Sequence, residues 1–597
     1  MALDVMFVTI IIFLLLSLTS SFDTKVSERI SVRARSEEAI DTKVSEGEET
    51  SFPRVYNATI RNSLNTSSNF ASEVDLIQFH RNIKEECLSI SFLVHDNAEL
   101  AHVKAMAKLL SMNVVNKGIH FDLEATLDLH EQINYVGAKK KVPSLYSTIP
   151  NFPCYKDLKG SFDWMDAMVK RSKSISGLSV TKTDIGDSWL KQQHASQGYD
   201  IWALKVTGMP TSPSSSSVKS EKAPKAIMFV MAGLHAREFA PPELASRWIE
   251  SLIDGYGQDA DITAILDVTE LHLVLQSNPD GRALVETNRV TMRRKNLNPG
   301  KFLCSADYQG VDLNRNFPYR WGLNSGSSPD ECAPTFRGTA AASEPEVNAI
   351  QKYTESIFPI SQRKAKPYAQ EKLPYAENKT MGVFVDIHSF GNAIFTPWGY
   401  SDNINGNARG FQAIIDKIQS FNNFKENSDY PFTSGSSDDF AYGRLGVASM
   451  TFEVGNMFFQ DCKTFETSIL TQNLPALTYL AKLARAPFHV SKGPDIVNLS
   501  AIVKGNFLIV NVTASDSAFS YSGVSTSQQS IRHIRVFLNI HPYSVSSSNL
   551  TKAYMLKSGS RVIDVSHLAS QRYHVVYAEA TDSAGYTGPI TAKYFFK

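Results

Sequence analysis

At 597 residues and 66.2 kDa the chain has length for about four domains of ~150 residues, and its 43% hydrophobic content supplies cores for them. Its 60 Lys and Arg balance 60 Asp and Glu, so no global field draws it to nucleic acid or to an anionic membrane. With 32 Gly and 25 Pro, the composition excludes a collagen-like or wholly disordered chain.

The amino terminus carries an apolar stretch of 14 residues, Val5–Leu18, shorter than the ~20 residues of a membrane-spanning helix. Small polar residues follow it, which predicts a secretory signal peptide over 1–21. Asp4 stands where such signals carry Lys or Arg, so an uncleaved anchor stays open, as does a vacuolar or lysosomal destination in place of the extracellular space. Six Asn-x-Ser/Thr sequons, at Asn57, Asn65, Asn378, Asn498, Asn511 and Asn549, agree with a secreted glycoprotein. Five Cys (87, 154, 304, 332 and 462) are too few for a disulfide framework and predict one or two bridges with a spare thiol.

Residues 22–73 are rich in charge, Ser, Thr and Glu and carry DTKVSE twice, at 23–28 and 41–46, which reads as a disordered leader. Residues 74–149 read as a small α/β region, with strands at 87–94 and 119–123 around a helix at 98–110. Lys139, Lys140 and Lys141 near its end form either a solvated linker or a processing site. From 150 to 487, apolar runs at 226–232, 271–276, 382–387 and 447–452 alternate with helical segments such as 241–253, the pattern of an α/β domain. After Pro487 the helical period disappears, and short runs such as NFLIVNVTA, IRHIRVFLNI and YHVVYAEATD predict a β-sandwich over 488–597.

Chemistry-bearing residues gather at the ends of the predicted strands. His235 and Glu238 follow the first strand at a strand-to-helix turn, three positions apart, where both could face one ion. His388 ends another strand, at the carboxyl edge where open α/β sheets place ligands. Asn278-Pro279-Asp280-Gly281 follows a third, Glu453 ends a fourth, and Arg294, Asn314 and Arg315 lie between.

These residues stand in a series of ordered motifs: HARE from His235, QDADITAILD before SNPDG, RRKN at 293–296, GVDLNRNF at 310–317, CAPTFRGTAAASEPE at 332–346, IHSFGNAIFTPWGY at 387–400 and SGSSDDFAYGRLGVASMTFEVG at 434–455. Over roughly 150–487 the chain resembles the zinc metallocarboxypeptidases of the carboxypeptidase A and B type. The resemblance implies a mixed-sheet α/β domain with helices on both faces, one zinc per chain held by His235, Glu238 and His388, and an open position for water or a substrate carbonyl. It assigns the general base to Glu453 and the cation facing the developing oxyanion to Arg294, with the adjacent Arg293 as the alternative. Asn314 and Arg315 match the clamp on a substrate's terminal carboxylate, and Arg237 the outer-subsite arginine. The mobile Tyr that closes over the bound terminus matches Tyr430, with Tyr442 as the structural alternative.

By the same resemblance, the floor of the pocket for the terminal side chain is Asp438, unless the register shifts to Asp439, and a carboxylate there selects Lys or Arg. Cys304 and Cys332 match the family's bridge around GVDLNRNF, whereas Cys87, Cys154 and Cys462 stay unassigned. The expected activity is release of the C-terminal residue from peptides and proteins. Residues 74–145 take the position of the family's inhibitory propeptide, so a zymogen and an activating protease are implied. A catalytically inactive, carboxypeptidase-like binding protein is the alternative, and the partner of the sandwich is open.

Overall fold

A computed structural model of the chain describes residues 25–36, 75–82, 87–96 and 121–127 and, from 145 to 597, all but 210–222, 288–291, 302–303, 306–307, 324–325, 360–379, 403, 427–431, 518–528, 544–552 and 558. Two units divide at Val142 and Pro143. In the first, β1 (Lys25–Ser36), β2 (Asp75–Asn82), β3 (Cys87–Asp96) and β4 (Phe121–Leu127) form an antiparallel sheet in the order β2-β3-β1-β4. β1 lies inside the segment expected to be a leader, and it pairs with both β3 and β4. The expected signal peptide, the helix at 98–110 and the basic run at 139–141 fall outside the described residues.

The second unit opens with a short hairpin of β5 (Thr148–Ile149) and β6 (Phe152–Lys156). Its centre is an eight-stranded mixed sheet of β7 (Leu178–Asp187), β8 (Asp200–Gly208), β9 (Ala226–Ala232), β10 (Thr269–Val274), β11 (Val383–His388), β12 (Ala393–Phe395), β13 (Lys425–Glu426) and β14 (Ala448–Glu453). The order is β13-β12-β14-β11-β9-β10-β8-β7. β14, β11, β9 and β10 run parallel, so their carboxyl ends share one edge. All six residues of β11 are buried, which is why its sequence reads as a nearly continuous apolar run rather than an alternating one.

The period of two is nevertheless visible in what each side chain touches. Val383, Val385 and Ile387 face a core shared with the helices Leu158–Ser172, Ala240–Gly255, Ala408–Asn422 and Leu470–Leu483. Phe384 faces the opposite core, with Val347 and Ile350 of helix Pro345–Ile357 and Phe440 of helix Ser437–Phe440. Helices therefore cover both faces. Helix Ala240–Gly255 starts as its sequence suggests, with prolines in the first turn where no helical N–H is needed. Cys304 pairs with Cys332, as expected, and Cys154 of β6 pairs with Cys462 across 308 residues.

The carboxyl-terminal region is a sandwich of β15 (Asp495–Lys504), β16 (Phe507–Ser515), β17 (Ile531–Leu538), β18 (Tyr554–Leu556), β19 (Gly559–Asp564), β20 (Tyr573–Asp582) and β21 (Thr591–Phe596). One sheet is ordered β15-β16-β19 and the other β18-β17-β20-β21, around a core that includes Leu508, Val510, Val536, Ile563 and Val576. The outer face of the second sheet rests on the α/β domain, where Phe537, Tyr577, Ile590 and Ala592 pack on Ala260 and Ala264 of helix Ala260–Val268. That helix enters β10 at its amino end, so the sandwich docks at the sheet edge opposite the carboxyl ends of β9, β11 and β14.

Polar contacts fix the docking. The Ala592 N–H donates to Asp261 Oδ1 (3.0 Å), Tyr479 Oη donates to Asp495 Oδ1 (2.7 Å), and Lys417 reaches Asp495 Oδ2 (2.5 Å). Partly exposed ion pairs contribute only about 0–1 kcal/mol each, so the buried aromatic and aliphatic area carries this interface. A chain ending at Pro487 is expected to unfold at a lower temperature than the full chain and to self-associate, which calorimetry and light scattering will show; an unchanged melting temperature counts against this dependence.

Candidate metal centre and active site

The chain leaves β9 through Gly233, whose φ of 68° turns the backbone toward the sheet edge. A Cβ at this position would lie 2.9 Å from Gln276 Oε1 and 3.2 Å from the Leu275 carbonyl, so glycine suits both the conformation and the space. His235 and Glu238 follow at once. His388 ends β11, and in the parallel register it stands directly opposite Glu453, the last residue of β14. Residues far apart in sequence thus meet because three adjacent strands end together.

His235, Glu238 and His388 are all buried, and their ligand atoms lie within 4.8 Å of one another. His235 Nδ1 is 2.8 Å from Glu238 Oε1, His388 Nδ1 is 3.1 Å from Glu238 Oε2, and the two Nδ1 atoms are 2.9 Å apart. The other nitrogen of each ring meets a carboxylate: His235 Nε2 donates to Asp312 Oδ1 (3.2 Å) and His388 Nε2 to Asp386 Oδ2 (2.8 Å). These bonds assign the ring proton to Nε2 in both residues and turn both Nδ1 lone pairs inward. Two lone pairs and a carboxylate converging in a buried space make a donor set that suits zinc.

Burial and neighbouring charge move the groups of this set in different directions. Burial alone would raise the Glu238 carboxyl, but His235 and His388 hold it below the usual carboxylate range. Burial lowers His235, helped by the nearby Arg294 cation, whereas His388 is held well above its ordinary value against burial by Asp386 and Glu238. Asp312 resists burial too and stays ionised beside Arg294 and Arg315. Glu453 is different: burial pushes its carboxyl up to about 8, with Glu238 adding to the effect against His388 and Arg294. Its Oε2 is buried and, among the described residues, has no hydrogen-bond partner.

The remaining residues singled out in the sequence divide clearly. Arg294 Nε donates to Asp312 Oδ2 (3.0 Å), and its Nη1 lies 3.2 Å from His235 Nδ1, at the rim of the metal set. Arg293 points away and is buried, donating to the carbonyls of Asn296 (2.6 Å) and Gln309 (3.0 Å), so it is a structural residue. Asn314 Nδ2 is 3.4 Å from His388 Nε2, and its Oδ1 accepts the Ser437 N–H (2.9 Å). Arg315 is held by the carbonyls of Gly326 and Asn314, both at 2.9 Å. Arg237 donates to the Met292 carbonyl (3.1 Å) and stacks on Phe458 at 3.8 Å, which places its guanidinium against an aromatic face.

The neighbouring acids also separate. Asp439 is fully buried and accepts the Gly399 N–H with both oxygens (3.0 and 3.2 Å), so its carboxylate is occupied by the loop after β12. Asp438 keeps a small exposure, and burial raises its carboxyl. Tyr442 is a core residue whose hydroxyl donates to Asn407 Oδ1 (2.5 Å), whereas Tyr430 lies outside the described residues. Two functional residues escaped the sequence reading, Asp312 and Asp386. Each stands two positions before a residue that was singled out, and on β11 that spacing puts Asp386 on the same face as His388.

A sequence profile of the zinc carboxypeptidase family matches residues 163–469, more than half of the chain. The chain belongs to that family. Human carboxypeptidase A1 is 28% identical over 251 residues, 42% of this chain and 48% of that protein. The metallocarboxypeptidase A of Trichophyton rubrum is 30% identical over 230 residues, 38% of this chain and 46% of that protein. The chain thus spans about half the length of the curated relatives it matches. Among solved structures, the carboxypeptidase A from Helicoverpa armigera is similar with 20% identity and a TM-score of 0.45, covering 67% of this chain and 89% of that one.

Two measurements test the carboxypeptidase centre. Replacing Asp386 or Asp312 by Asn is expected to weaken zinc binding about 10- to 100-fold in competition with a chelating dye, because each ring loses its charged anchor; unchanged affinity refutes the anchoring. The second concerns Glu453 in metal-stripped protein. Its folded value of about 8 exceeds the ordinary 4.5, so its favourable contribution is complete below pH 4.5 and is lost as pH rises through 8. Glu453→Gln removes that loss, so the stripped variant is expected to gain stability over the wild type between those limits, as read by melting temperature across the pH range.

Proposed function

We propose that the chain is a secreted zinc carboxypeptidase that hydrolyses the last peptide bond of peptides and proteins. The observation that carries this reading is the convergence of His235 Nδ1, Glu238 and His388 Nδ1 beside the buried, unpartnered Oε2 of Glu453. His235, Glu238 and His388 would hold a zinc ion, which would supply Lewis-acid activation of a water molecule and of the scissile carbonyl. Glu453 Oε2 takes a proton from the attacking water and delivers it to the leaving amine. The Arg294 guanidinium, held by Asp312, faces the negative charge that develops on the carbonyl oxygen. Asn314 and Arg315 bind the terminal carboxylate, which restricts cleavage to the end of a chain, and Tyr430 closes over it. Arg237 holds the residue preceding the scissile bond.

The occupied carboxylate of Asp439 leaves Asp438 to meet the terminal side chain, which supports a preference for Lys and Arg. Residues 74–145 act as an inhibitory segment, and cleavage near Lys139–Lys141 releases activity. Secretion follows from the amino-terminal stretch. Among the described residues no helix is long and apolar enough to cross a membrane.

The decisive experiment is hydrolysis of blocked dipeptides ending in Lys, Arg, Phe or Leu, before and after limited trypsin treatment, with and without a chelator. Chelator-sensitive release of Lys and Arg that rises after trypsin is expected, with Glu453→Gln lowering kcat by about 10²- to 10⁴-fold. Release of Phe or Leu alone refutes the basic pocket. No release from zinc-loaded protein would point to a recognition domain without catalysis.

A further inference from the structure

The two sheets of the sandwich have different outer faces. The sheet containing β17 and β20 is covered by helix Ala260–Val268, whereas the outer face of the β15-β16-β19 sheet faces solvent. Its register sets out that face in rows. Ile502, Ile509 and Val562 are directly opposed across the three strands, and Phe507 stands two positions before Ile509. Ile502, Phe507 and Val562 are 53%, 50% and 59% exposed, so the face carries an apolar row in water.

The next row along the same strands is Ser500, Asn511 and Ser560, and beyond it Asn498 opposes Thr513. Asn498-Leu499-Ser500 and Asn511-Val512-Thr513 are both sequons. The alternation of strand side chains sends Val510 and Val512 into the sandwich core and Asn511 outward, beside Ile509. The Asn511 Oδ1 accepts a hydrogen bond from Ser560, while its Nδ2 donates to Ser500 Oγ at 3.3 Å. An amide substituted on Nδ2 keeps one N–H and its oxygen, so this arrangement survives modification.

We propose that Asn498 and Asn511 are N-glycan acceptor sites and that the attached sugars cover the Ile502–Ile509–Val562 row. The reaction transfers an oligosaccharide from a lipid pyrophosphate: the anomeric carbon–oxygen bond breaks, a carbon–nitrogen bond to Asn Nδ2 forms, Nδ2 gives up a proton, and the lipid pyrophosphate leaves. The bulky, hydrated glycan then takes the place of a protein partner on this face. The inference rests on the reading that the chain enters the secretory pathway.

The test uses the full chain with its own leader, secreted from a eukaryotic cell and treated with a peptide N-glycanase that converts each occupied Asn to Asp. Conversion at positions 498 and 511, read by peptide mass spectrometry, supports the assignment. The Asn498→Gln, Asn511→Gln variant is then expected to shift from monomer to larger species and to gain fluorescence of an apolar dye, with its dipeptide hydrolysis unchanged. A secreted chain glycosylated at other sequons but bare at 498 and 511 overturns the inference and leaves the secretory reading intact. Occupied sites whose removal changes neither association nor dye binding overturn the covering role. A retained chain with every sequon bare overturns both readings.

Discussion

The parallel pairing of β9, β11 and β14 is the constraint on which the site depends. Hydrogen bonding puts Ala232 opposite Ile387 and His388 opposite Glu453, so the ends of the three strands lie in one plane. Each functional group then needs only a short excursion: none for His388 and Glu453, and one glycine turn for His235 and Glu238. Because the strands are buried on both faces, a one-residue slip would transfer every side chain between the two cores and lose the register. The packing that stabilises the sheet therefore also sets the distances at the metal centre.

A second layer of order comes from carboxylates behind the imidazoles. Asp312 accepts from His235, Asn314 and Arg294 together, joining a member of the buried His-Glu-His cluster, the Asn314–Arg315 segment and the Arg294 guanidinium in one unit. Asp386 makes the corresponding link on the other side, since its Oδ2 also accepts the Ser437 hydroxyl at 2.6 Å, one residue before Asp438. Buried acids of this kind cost much unless each is met by donors, and here the donors are His235, Arg294 and His388 with their neighbours. Glu453 is the exception, its Oε2 left without a hydrogen-bond partner among the described residues.

The sandwich stands apart from this chemistry. It docks at the opposite edge of the central sheet through aromatic and aliphatic contacts, so its bearing on the site passes through the stability of the α/β domain. Its two outer faces follow from that docking, one hidden and one open. On the open face, apolar side chains and sequons occupy successive rows, a pattern that appears in sequence only as unrelated tripeptides.

What could be read from the sequence was whatever local period or ordered motif can encode. The apolar runs at 226–232 and 382–387 marked β9 and β11 to within a residue, the loss of helical period after Pro487 marked the sandwich, and HARE and the His ending β11 marked the residues that cluster at the sheet edge. The pairing of Cys154 with Cys462 and the hydrogen-bond partners that separate Arg293 from Arg294 were not legible. Both depend on which way a side chain points after chains far apart in sequence have packed, and neighbouring Arg or Asp residues look alike until one of each pair is taken up by backbone groups. Asp312 and Asp386 were hidden for the same reason, because a carboxylate becomes an anchor for histidine only once the fold places a ring nitrogen within hydrogen-bonding distance. Residue types and the places of strands along the chain came from the sequence itself; sheet order, orientation, partner and proton position were decided by the tertiary structure, since all are set by contacts across the sheet and between its two cores.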